Sequence, residues 1–173
     1  MIAWYRLHRY AWYRYSAIVI HPYFVKAFKK RWYVVACSPG TDDIRCYALD
    51  RMENVIISDK VFKMPKDLKP AEYFKDCFGI INNEDSEVQK VVLKVDAFQS
   101  NYIRNLPLHE SQKEMKRTDE YSIFEYHLKP EFDFEQEIFS NMDTMEVLEP
   151  QWLREEVSER LRNLAKKYKI CPS

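Results

Sequence analysis

Glycine is scarce in this chain. Only two glycines, Gly40 and Gly79, occur among the 173 residues. Phosphate-binding loops of the dinucleotide and P-loop kinds need several glycines at fixed spacing, because the backbone must approach the phosphate closely. The scarcity of glycine excludes those loops and, with them, most nucleotide-dependent enzymes.

Cysteine is also sparse, and long apolar runs are absent. The four cysteines are widely spaced without a C-x-x-C pair, which is typical of reduced thiols, and Cys37 and Cys46 are expected to act as small apolar residues in strands. Together with the four histidines they give no metal-ligand spacing. The chain has no run of about 18 apolar residues and no signal-peptide pattern. We therefore expect a cytoplasmic protein with no metal, no cofactor and no membrane span.

The formal net charge is zero, but the charged residues are unevenly distributed. Residues 1–41 contain seven Lys or Arg and no Asp or Glu, and residues 1–78 carry a net charge of +6. Residues 79–173 carry a net charge of −6. This asymmetry indicates either an anionic partner for the first half or two small domains that differ only in surface charge.

Short apolar segments separated by turn residues dominate the first half. Arg31–Cys37 is rich in aromatic and β-branched residues, which predicts a strand, and Ile44–Leu49 returns from turn residues 38–43 as a second strand. Further short strands are expected over Ala17–His21, which Pro22 should stop, over Val55–Ser58 and over Lys60–Lys63. Residues 65–78 predict a short helix or turn beginning near Pro70. The spacing of the strands favours a small barrel or sandwich.

The pattern of apolar and polar residues changes after the polar segment 82–87. We interpret this segment as the boundary between a first domain (residues 1–80) and a second domain (residues 88–173). The predicted order is strand, helix, strand, strand, helix, strand, which is typical of ferredoxin-like folds. These elements are expected at Val91–Val95, Ala97–Leu106, Glu114–Arg117, Ser122–Leu128, Asp133–Ser140 and Met145–Leu148.

Apolar residues at helical spacing support the helices of the second half. The first helix carries Phe98, Tyr102, Ile103 and Leu106, and the second carries Phe134, Ile138 and Phe139. A terminal helix opens at Pro150 with a stripe of Trp152, Leu153, Val157, Leu161 and Leu164.

An ordered set of sequence blocks resembles the WYL domain and its C-terminal extension. Trp32-Tyr33-Val34 stands where that domain carries its naming Trp-Tyr-Leu, with HPYFVK at 21–26 before it and RCYALDRM at 45–52 after it. LPLH at 106–109, SQ at 111–112 and LEPQWL at 148–153 resemble the extension. The resemblance spans about residues 18 to 168, and the ordered blocks make it specific where a lone W-Y-[LV] would not be.

The resemblance implies an α+β protein with a small Sm-like or SH3-like β-barrel, a ferredoxin-like extension and a terminal helix. Members of the family are mostly bacterial transcription regulators with an N-terminal helix-turn-helix, and their barrel is taken to sense a ligand, often thought to be a nucleotide or nucleic acid. This chain has no room for a helix-turn-helix before the barrel. The DNA-binding part is therefore expected elsewhere, or the chain is a truncated gene product.

Strand alternation groups the residues that could bind such a ligand. If Ile44–Arg51 stays extended, Arg45, Tyr47 and Arg51 share a face. In Arg31–Cys37, Arg31 and Tyr33 lie opposite a face that contains Trp32, which we expect in the barrel core. Guanidinium groups bind phosphate bidentately and rings stack on bases. The candidate ligand-binding residues are His21, Tyr23, Arg31, Tyr33, Arg45, Tyr47 and Arg51.

Several polar residues have a plainer interpretation. Arg51 follows Asp50 and would suit a surface ion pair. His109 and Ser111 are interpreted as a structural loop, because a nucleophilic serine needs a base in reach and a third orienting group. An acidic helix start explains the carboxylates Glu125, Glu131, Asp133 and Glu135. No catalytic residue is assigned, and the protein is not expected to be an enzyme.

The N-terminal segment repeats Ala-Trp-Tyr-Arg at residues 3–6 and 11–14, and two copies are too few for a repeat fold. Its rings and arginines resemble a surface for single-stranded nucleic acid. The simpler interpretation is a strand that packs on the barrel or a disordered leader. The local sequence does not decide between strand and helix.

The leading hypothesis is a non-enzymatic sensor that binds an anionic ligand, a nucleotide or single-stranded nucleic acid. Its extension would help to form a homodimer and transmit ligand occupancy to a DNA-binding part. The alternative is a protein-interaction module without a ligand, a truncated paralogue that pairs with full-length regulators. An enzyme such as a nuclease would need a metal or catalytic cluster that the sequence does not offer.

Overall fold

The computed structural model describes residues 2–7, 14–41 and 43–170. The chain divides into two compact units, residues 1–73 and 74–173. Within the described ranges both units combine antiparallel sheets with helices, and the chain ends on a long helix. The fold is therefore α+β. No helix among the described residues is long and apolar enough to cross a membrane.

The first unit consists mainly of strands. They are β1 (Ile2–Leu7), β2 (Arg14–Val19), β3 (His21–Phe28), β4 (Arg31–Cys37), β5 (Ile44–Ala48) and β6 (Met52–Ile56), followed by the short helix α1 (Pro70–Tyr73). They form two antiparallel three-stranded sheets in the orders β2-β1-β6 and β3-β4-β5. Only Ile20 separates β2 from β3, and a 3₁₀ turn over Leu49–Arg51 joins β5 to β6. In the described part of the chain these strands do not close into one hydrogen-bonded barrel.

Two sequence predictions for the first unit are wrong. Pro22 does not stop a strand: β3 runs through it, and Pro22 pairs with Ala36. The reason is that β3 is an edge strand of its sheet, where a residue without an N–H group is tolerated. No strand covers Lys60–Lys63, and residues 57–68 run from β6 towards α1 without regular secondary structure.

The N-terminal segment forms strands where it is described. β1 pairs with β2 and β6, so residues 2–7 belong to a sheet and not to a helix. The aromatic residues Tyr10, Trp12 and Tyr13, on which the nucleic-acid interpretation of this segment partly rests, lie outside the described residues.

A two-residue turn joins β3 to β4. Lys29 and Lys30 have φ angles of 43° and 64°, and the flanking residues Phe28 and Arg31 are paired. Positive φ at both central residues is the pattern of a type I′ turn, whose twist matches that of the strands. Lysine is an unusual occupant of this conformation, which favours Asn and Gly.

The second unit contains one four-stranded sheet and three helices among its described residues. These elements are β7 (Gln89–Asp96), α2 (Ala97–Asn105), β8 (Lys113–Arg117), β9 (Tyr121–Leu128), α3 (Phe132–Ser140), β10 (Met145–Glu149) and α4 (Gln151–Lys167). The strands are antiparallel in the order β10-β7-β9-β8. The order of elements predicted from the sequence is the order observed, and the polar segment 82–87 lies within this unit.

Alternation along the two central strands builds the core of the second unit. Val91, Leu93 and Val95 of β7 are fully buried, and so are alternate residues of β9. A period of two places these side chains on one face of the sheet. The helices complete the core with Ile103, Phe134, Ile138, Leu153 and Val157.

The buried sides of two helices differ from the apolar stripes in the sequence. In α2 only Ile103 of the four apolar residues is buried, whereas Phe98, Tyr102 and Leu106 are exposed. In α4 the first two turns bury Leu153 and Val157, while Leu161 and Leu164 further along are exposed. Helical spacing thus located the helices correctly but did not identify which apolar residues the core would cover.

Candidate ligand-binding site

The register of the β3-β4-β5 sheet assigns the candidate residues to two faces. Residues that pair directly across antiparallel strands share a face, and faces alternate along each strand. One face, which we call the His21 face, carries His21, Arg31, Tyr33, Val35 and Cys37. The opposite face, which we call the Tyr47 face, carries Trp32, Val34, Ala36, Arg45 and Tyr47. The seven candidates therefore do not all come together on one surface.

An aromatic cluster forms at one end of the His21 face. The rings of His21 and Phe62 are stacked, with centroids 4.7 Å apart and planes 2° from parallel. Tyr23, at an irregularity in the pairing of β3, lies with its hydroxyl 2.7 Å from the Cys37 sulfur and its ring centroid 6.2 Å from that of Phe62. Sequence analysis did not identify Phe62, because no local pattern relates it to β3.

Arg31 supplies positive charge on the His21 face. Its Nε lies 3.4 Å from Oδ2 of Asp50, and both side chains are about half exposed. Asp50 belongs to the 3₁₀ turn that follows β5, so a contact between two parts of the chain holds the guanidinium group. An exposed pair of this kind contributes roughly 0–1 kcal/mol and leaves the arginine accessible.

Arg45 and Tyr47 have other surroundings on the Tyr47 face. The guanidinium group of Arg45 donates to Asp43 through Nε, at 2.7 Å, and through Nη2. This hydrogen-bonded carboxylate raises the pKa of Arg45 above its ordinary value. Tyr47 packs against the apolar cluster of Ile20, Val34 and Ala36, so part of its ring belongs to the core of the first unit.

Arg51 is not related to Arg45 and Tyr47 by strand alternation. The extended conformation expected for Ile44–Arg51 ends at Ala48, and residues Leu49–Arg51 form the 3₁₀ turn. The condition under which Arg51 would share a face with Arg45 is therefore not met. Arg51 is half-buried at the end of the turn, one residue after the carboxylate that pairs with Arg31.

Trp32 does not lie in a core. Its side chain is 57% exposed, although the sequence predicts it on the buried face of β4. The apolar cluster covers Val34 and Ala36 of the same face but does not include Trp32, which lies next to the Lys29-Lys30 turn and pairs with exposed Ala27. A side chain near the tip of a two-stranded turn has few neighbours that can cover it.

His109 and Ser111 have structural partners in the second unit. Nε2 of His109 donates to the carbonyl oxygen of Lys75 at 2.9 Å, while Nδ1 accepts from the Ser111 backbone N–H at 3.2 Å. The Ser111 hydroxyl lies 2.8 Å from His109 Nδ1 and accepts from the backbone N–H of His127. His109 is buried, and its Nε2 atom donates a hydrogen bond to a carbonyl group and not to a carboxylate. These contacts fit the structural loop predicted from the sequence.

The acidic residues near α3 are also engaged structurally. Asp133 Oδ2 accepts the backbone N–H groups of Ile80 and Ile81 at 2.8 and 3.2 Å. Burial, with a contribution from nearby Glu156, raises the pKa of Glu135, and Arg160 beside it acts in the opposite direction. Both carboxylates lie in the first turn of α3, where the helix dipole favours negative charge. Among the described residues, no three His, Cys, Asp or Glu side chains form a group that could hold a metal ion.

Comparison with known domain families identifies both halves of the chain. The WYL domain matches residues 5–57, and the WCX domain matches residues 87–165. Together these matches cover well over half of the 173 residues. The chain therefore belongs to the WYL-domain family, with a WYL domain followed by a WCX domain, which confirms the resemblance identified in the sequence.

The solved structures that are similar to the chain include a CRISPR Cas-related protein and a proteasome accessory factor. A structure described as a CRISPR Cas-related protein has a TM-score of 0.54 and 14% identity, over 97% of this chain and 47% of that one. Proteasome accessory factor B/C (PafBC) of Arthrobacter aurescens has a TM-score of 0.38 and 17% identity, over 99% of this chain and 26% of that one. The chain thus spans about half and about a quarter of their lengths. A comparison with curated proteins gives no match.

Proposed function

We propose that this chain is the ligand-sensing module of a bacterial transcription regulator, and that it binds a nucleotide or single-stranded nucleic acid on the His21 face. The observation that carries the proposal is the placement of His21, Tyr23, Arg31 and Tyr33 on one face of the β3-β4-β5 sheet. This face carries rings that can stack on bases, His21 and Tyr23, at one end of β4, and a guanidinium group that can bind phosphate, Arg31, at the other end. Membership of the WYL-domain family supports the regulatory role.

The same proposal gives a fold and a role to each of the two domains. The first domain (residues 1–80) is an incompletely closed Sm-like or SH3-like barrel that senses the ligand. The second domain (residues 88–173) is a ferredoxin-like extension that helps to form a homodimer. The module acts in the cytoplasm, catalyses no reaction and passes ligand occupancy to a helix-turn-helix part outside this chain.

Fluorescence anisotropy of labelled ten-nucleotide single-stranded DNA and RNA, across a salt series, tests the proposal. We expect a dissociation constant of about micromolar or tighter at low salt, with a steep loss of affinity as salt rises, because phosphate contacts release counterions. Isothermal titration with mononucleotides covers the smaller ligand. Absence of binding to oligonucleotides and to nucleotides at low salt would overturn the proposed ligand class.

The exposed side of α2 favours a second candidate function, a protein-interaction or dimerisation module without a ligand. Phe98, Tyr102 and Leu106 recur at helical spacing on its exposed surface, and the first two rings contact each other with centroids 5.2 Å apart. Sedimentation of wild type and of the Phe98→Asp/Leu106→Asp variant distinguishes this function. A dimer that the variant abolishes, in a protein that binds no oligonucleotide, would favour it.

A further inference from the structure

The stacked contact between Phe62 and His21 covers one face of a candidate ligand residue. The two rings are nearly parallel, 2° apart, with centroids separated by 4.7 Å. Tyr23 flanks the same phenyl ring at 6.2 Å with a tilt of 53°. Because one face of an imidazole accommodates one stacked ring, a base that stacked on this face of His21 would need the place that Phe62 holds.

The segment that carries Phe62 has few other attachments. Residues 57–68 have no regular secondary structure, and Ile57 and Val61 are 87% and 94% exposed. Within the described part of the chain, the hydrogen bonds of this segment are local: Lys60 N–H to the Ser58 hydroxyl, and Leu68 N–H to the Pro65 carbonyl. The half-buried ring of Phe62 contacts His21 of the β3-β4-β5 sheet, whereas most other residues of the segment are exposed.

We propose that Phe62 occupies the base-stacking position of His21 in the unliganded protein, and that a nucleobase displaces it on binding. This inference rests on the proposed function and adds a residue that determines specificity. Displacement breaks the contact between the rings of Phe62 and His21. A ligand with bases replaces it with a contact between a base and His21, whereas a phosphate chain without bases does not. Exposed Lys60 and Lys63, two residues before and one after Phe62, stay near the site on the displaced segment and can meet phosphates.

Two labelled probes of equal charge test the proposal: a ten-nucleotide oligothymidylate and the corresponding abasic phosphodiester. They are titrated by anisotropy against wild type, Phe62→Ala and the control Val61→Ala, which removes a neighbouring apolar side chain that is almost fully exposed. A competing intramolecular ring reduces the competent fraction of the site. We expect Phe62→Ala to bind the oligothymidylate about 3- to 10-fold more tightly, as one aromatic stack predicts. Its affinity for the abasic probe should equal that of wild type, and Val61→Ala should match wild type on both probes.

The outcomes separate this inference from the proposed function. If wild type binds the oligothymidylate and Phe62→Ala binds it equally or more weakly, Phe62 is not a competitor, while the proposed function stands. An equal gain on both probes also overturns the inference, because the effect would not depend on the base. If neither wild type nor Phe62→Ala binds either probe, the proposed ligand class fails together with the inference.

A second variant and a spectroscopic readout guard against a folding defect in Phe62→Ala. Phe62→Leu keeps an apolar side chain of similar size but removes the ring, and it should show the same gain on the oligothymidylate alone. In wild type, the His21 ring protons should experience the ring current of Phe62, and Phe62→Leu should remove that shift from their NMR signals. Unchanged His21 signals in Phe62→Leu would overturn the stacked arrangement itself.

Discussion

The guanidinium group of Arg31 lies 3.4 Å from the carboxylate of Asp50, measured from Nε to Oδ2. On the opposite face of the same sheet, Arg45 donates to Asp43 through two N–H groups. Both arginines are exposed and paired with a nearby aspartate. Substitution of each arginine in turn therefore compares the two faces of the sheet under matched conditions.

Replacing Arg31 with alanine should weaken oligonucleotide binding if the ligand lies on the His21 face. We expect a loss of about 5- to 10-fold at low salt and a decrease of about 0.7 in the slope of log affinity against log salt, as for one phosphate contact to a single strand. Arg45→Ala should change the affinity less than about 2-fold. Anisotropy titrations at four or more salt concentrations measure both quantities.

A reversed result would relocate the ligand. If Arg45→Ala loses affinity and Arg31→Ala does not, the ligand binds on the Tyr47 face. The sequence argument that grouped Arg45 with Tyr47 would then give the better site. Circular dichroism of both variants checks that the sheet is intact.

Trp32 should contribute little to stability despite its size. Because its side chain is 57% exposed, Trp32→Ala should lower the free energy of unfolding by less than about 1 kcal/mol. Val35 has a smaller side chain in the same strand, but it is fully buried. Val35→Ala should therefore cost about 2 kcal/mol, because it loses burial and leaves a cavity behind. Urea denaturation followed by circular dichroism gives both values. A cost for Trp32→Ala equal to that of Val35→Ala would place the indole in a core.

Local sequence predicted the elements better than it predicted their environment. β4 has the predicted bounds, and α3 begins within one residue of its predicted start, because aromatic and β-branched content or apolar periodicity is dense there. Neither signal reports what covers a side chain. Phe98 and Ile103 contribute equally to the apolar pattern of α2, yet only Ile103 meets the sheet.

The candidate site was predictable only in part, for a similar reason. Alternation correctly separated Arg31 and Tyr33 from Val34 and Ala36 within β4, since a strand has a fixed period. It did not relate one strand to another, because that requires the register of pairing, and it failed at the 3₁₀ turn after Ala48. Contacts such as Phe62 on His21 depend on where an irregular segment returns to the sheet, and local spacing does not encode that position.

Gly79 is required by the position of Asp133. A Cβ atom built on Gly79 would lie 2.2 Å from Oδ2 and 2.6 Å from Cβ of Asp133. Gly79→Ala should therefore force the loop or the start of α3 to move, at a cost of about 1–3 kcal/mol in the free energy of unfolding. Thermal or urea unfolding measures the effect.

A double-mutant cycle isolates this contact. Asp133→Gly removes the three atoms nearest to the new Cβ, together with the acceptor for the Ile80 and Ile81 N–H groups. Gly79→Ala should consequently cost much less in the Asp133→Gly background than in wild type. Equal costs in the two backgrounds would show that another neighbour, or the backbone conformation of residue 79, sets the requirement for glycine.

The Lys29-Lys30 turn should tolerate, and gain from, residues that prefer positive φ. At φ angles of 43° and 64° the two lysines each bear a steric cost that Asn and Gly largely avoid. The double variant Lys29→Asn/Lys30→Gly should raise the free energy of unfolding by about 1–2 kcal/mol. The matched control Lys66→Asn changes an exposed lysine outside the hairpin and should have no such effect. A loss of stability would mean that the turn is not of type I′ in solution.

Glu114 should make part of the stability of the second unit dependent on acid pH. Arg104 donates to its two carboxylate oxygens at 3.0 and 2.6 Å, and the Ser122 hydroxyl donates at 2.7 Å. The hydrogen bonds from Arg104 contribute most to a pKa lowered from 4.5 to about 2. Because the folded-state pKa lies below the unfolded value, this stabilisation is complete above about pH 4.5 and is lost as the pH falls towards 2.

Comparison of wild type with Glu114→Gln across pH measures that contribution. At pH 6–7 the variant should be less stable by about 1 kcal/mol, a modest value because the pair is partly exposed to solvent. The difference should shrink as the pH falls from about 4.5, become small near pH 2, where the folded wild-type carboxylate is about half protonated, and vanish only at lower pH. Glu110→Gln, at an exposed carboxylate with no ion-pair partner among the described residues, should show no such convergence. A wild-type advantage that persists unchanged at pH 2 would mean that the shape of the side chain, and not its charge, joins β8 to α2.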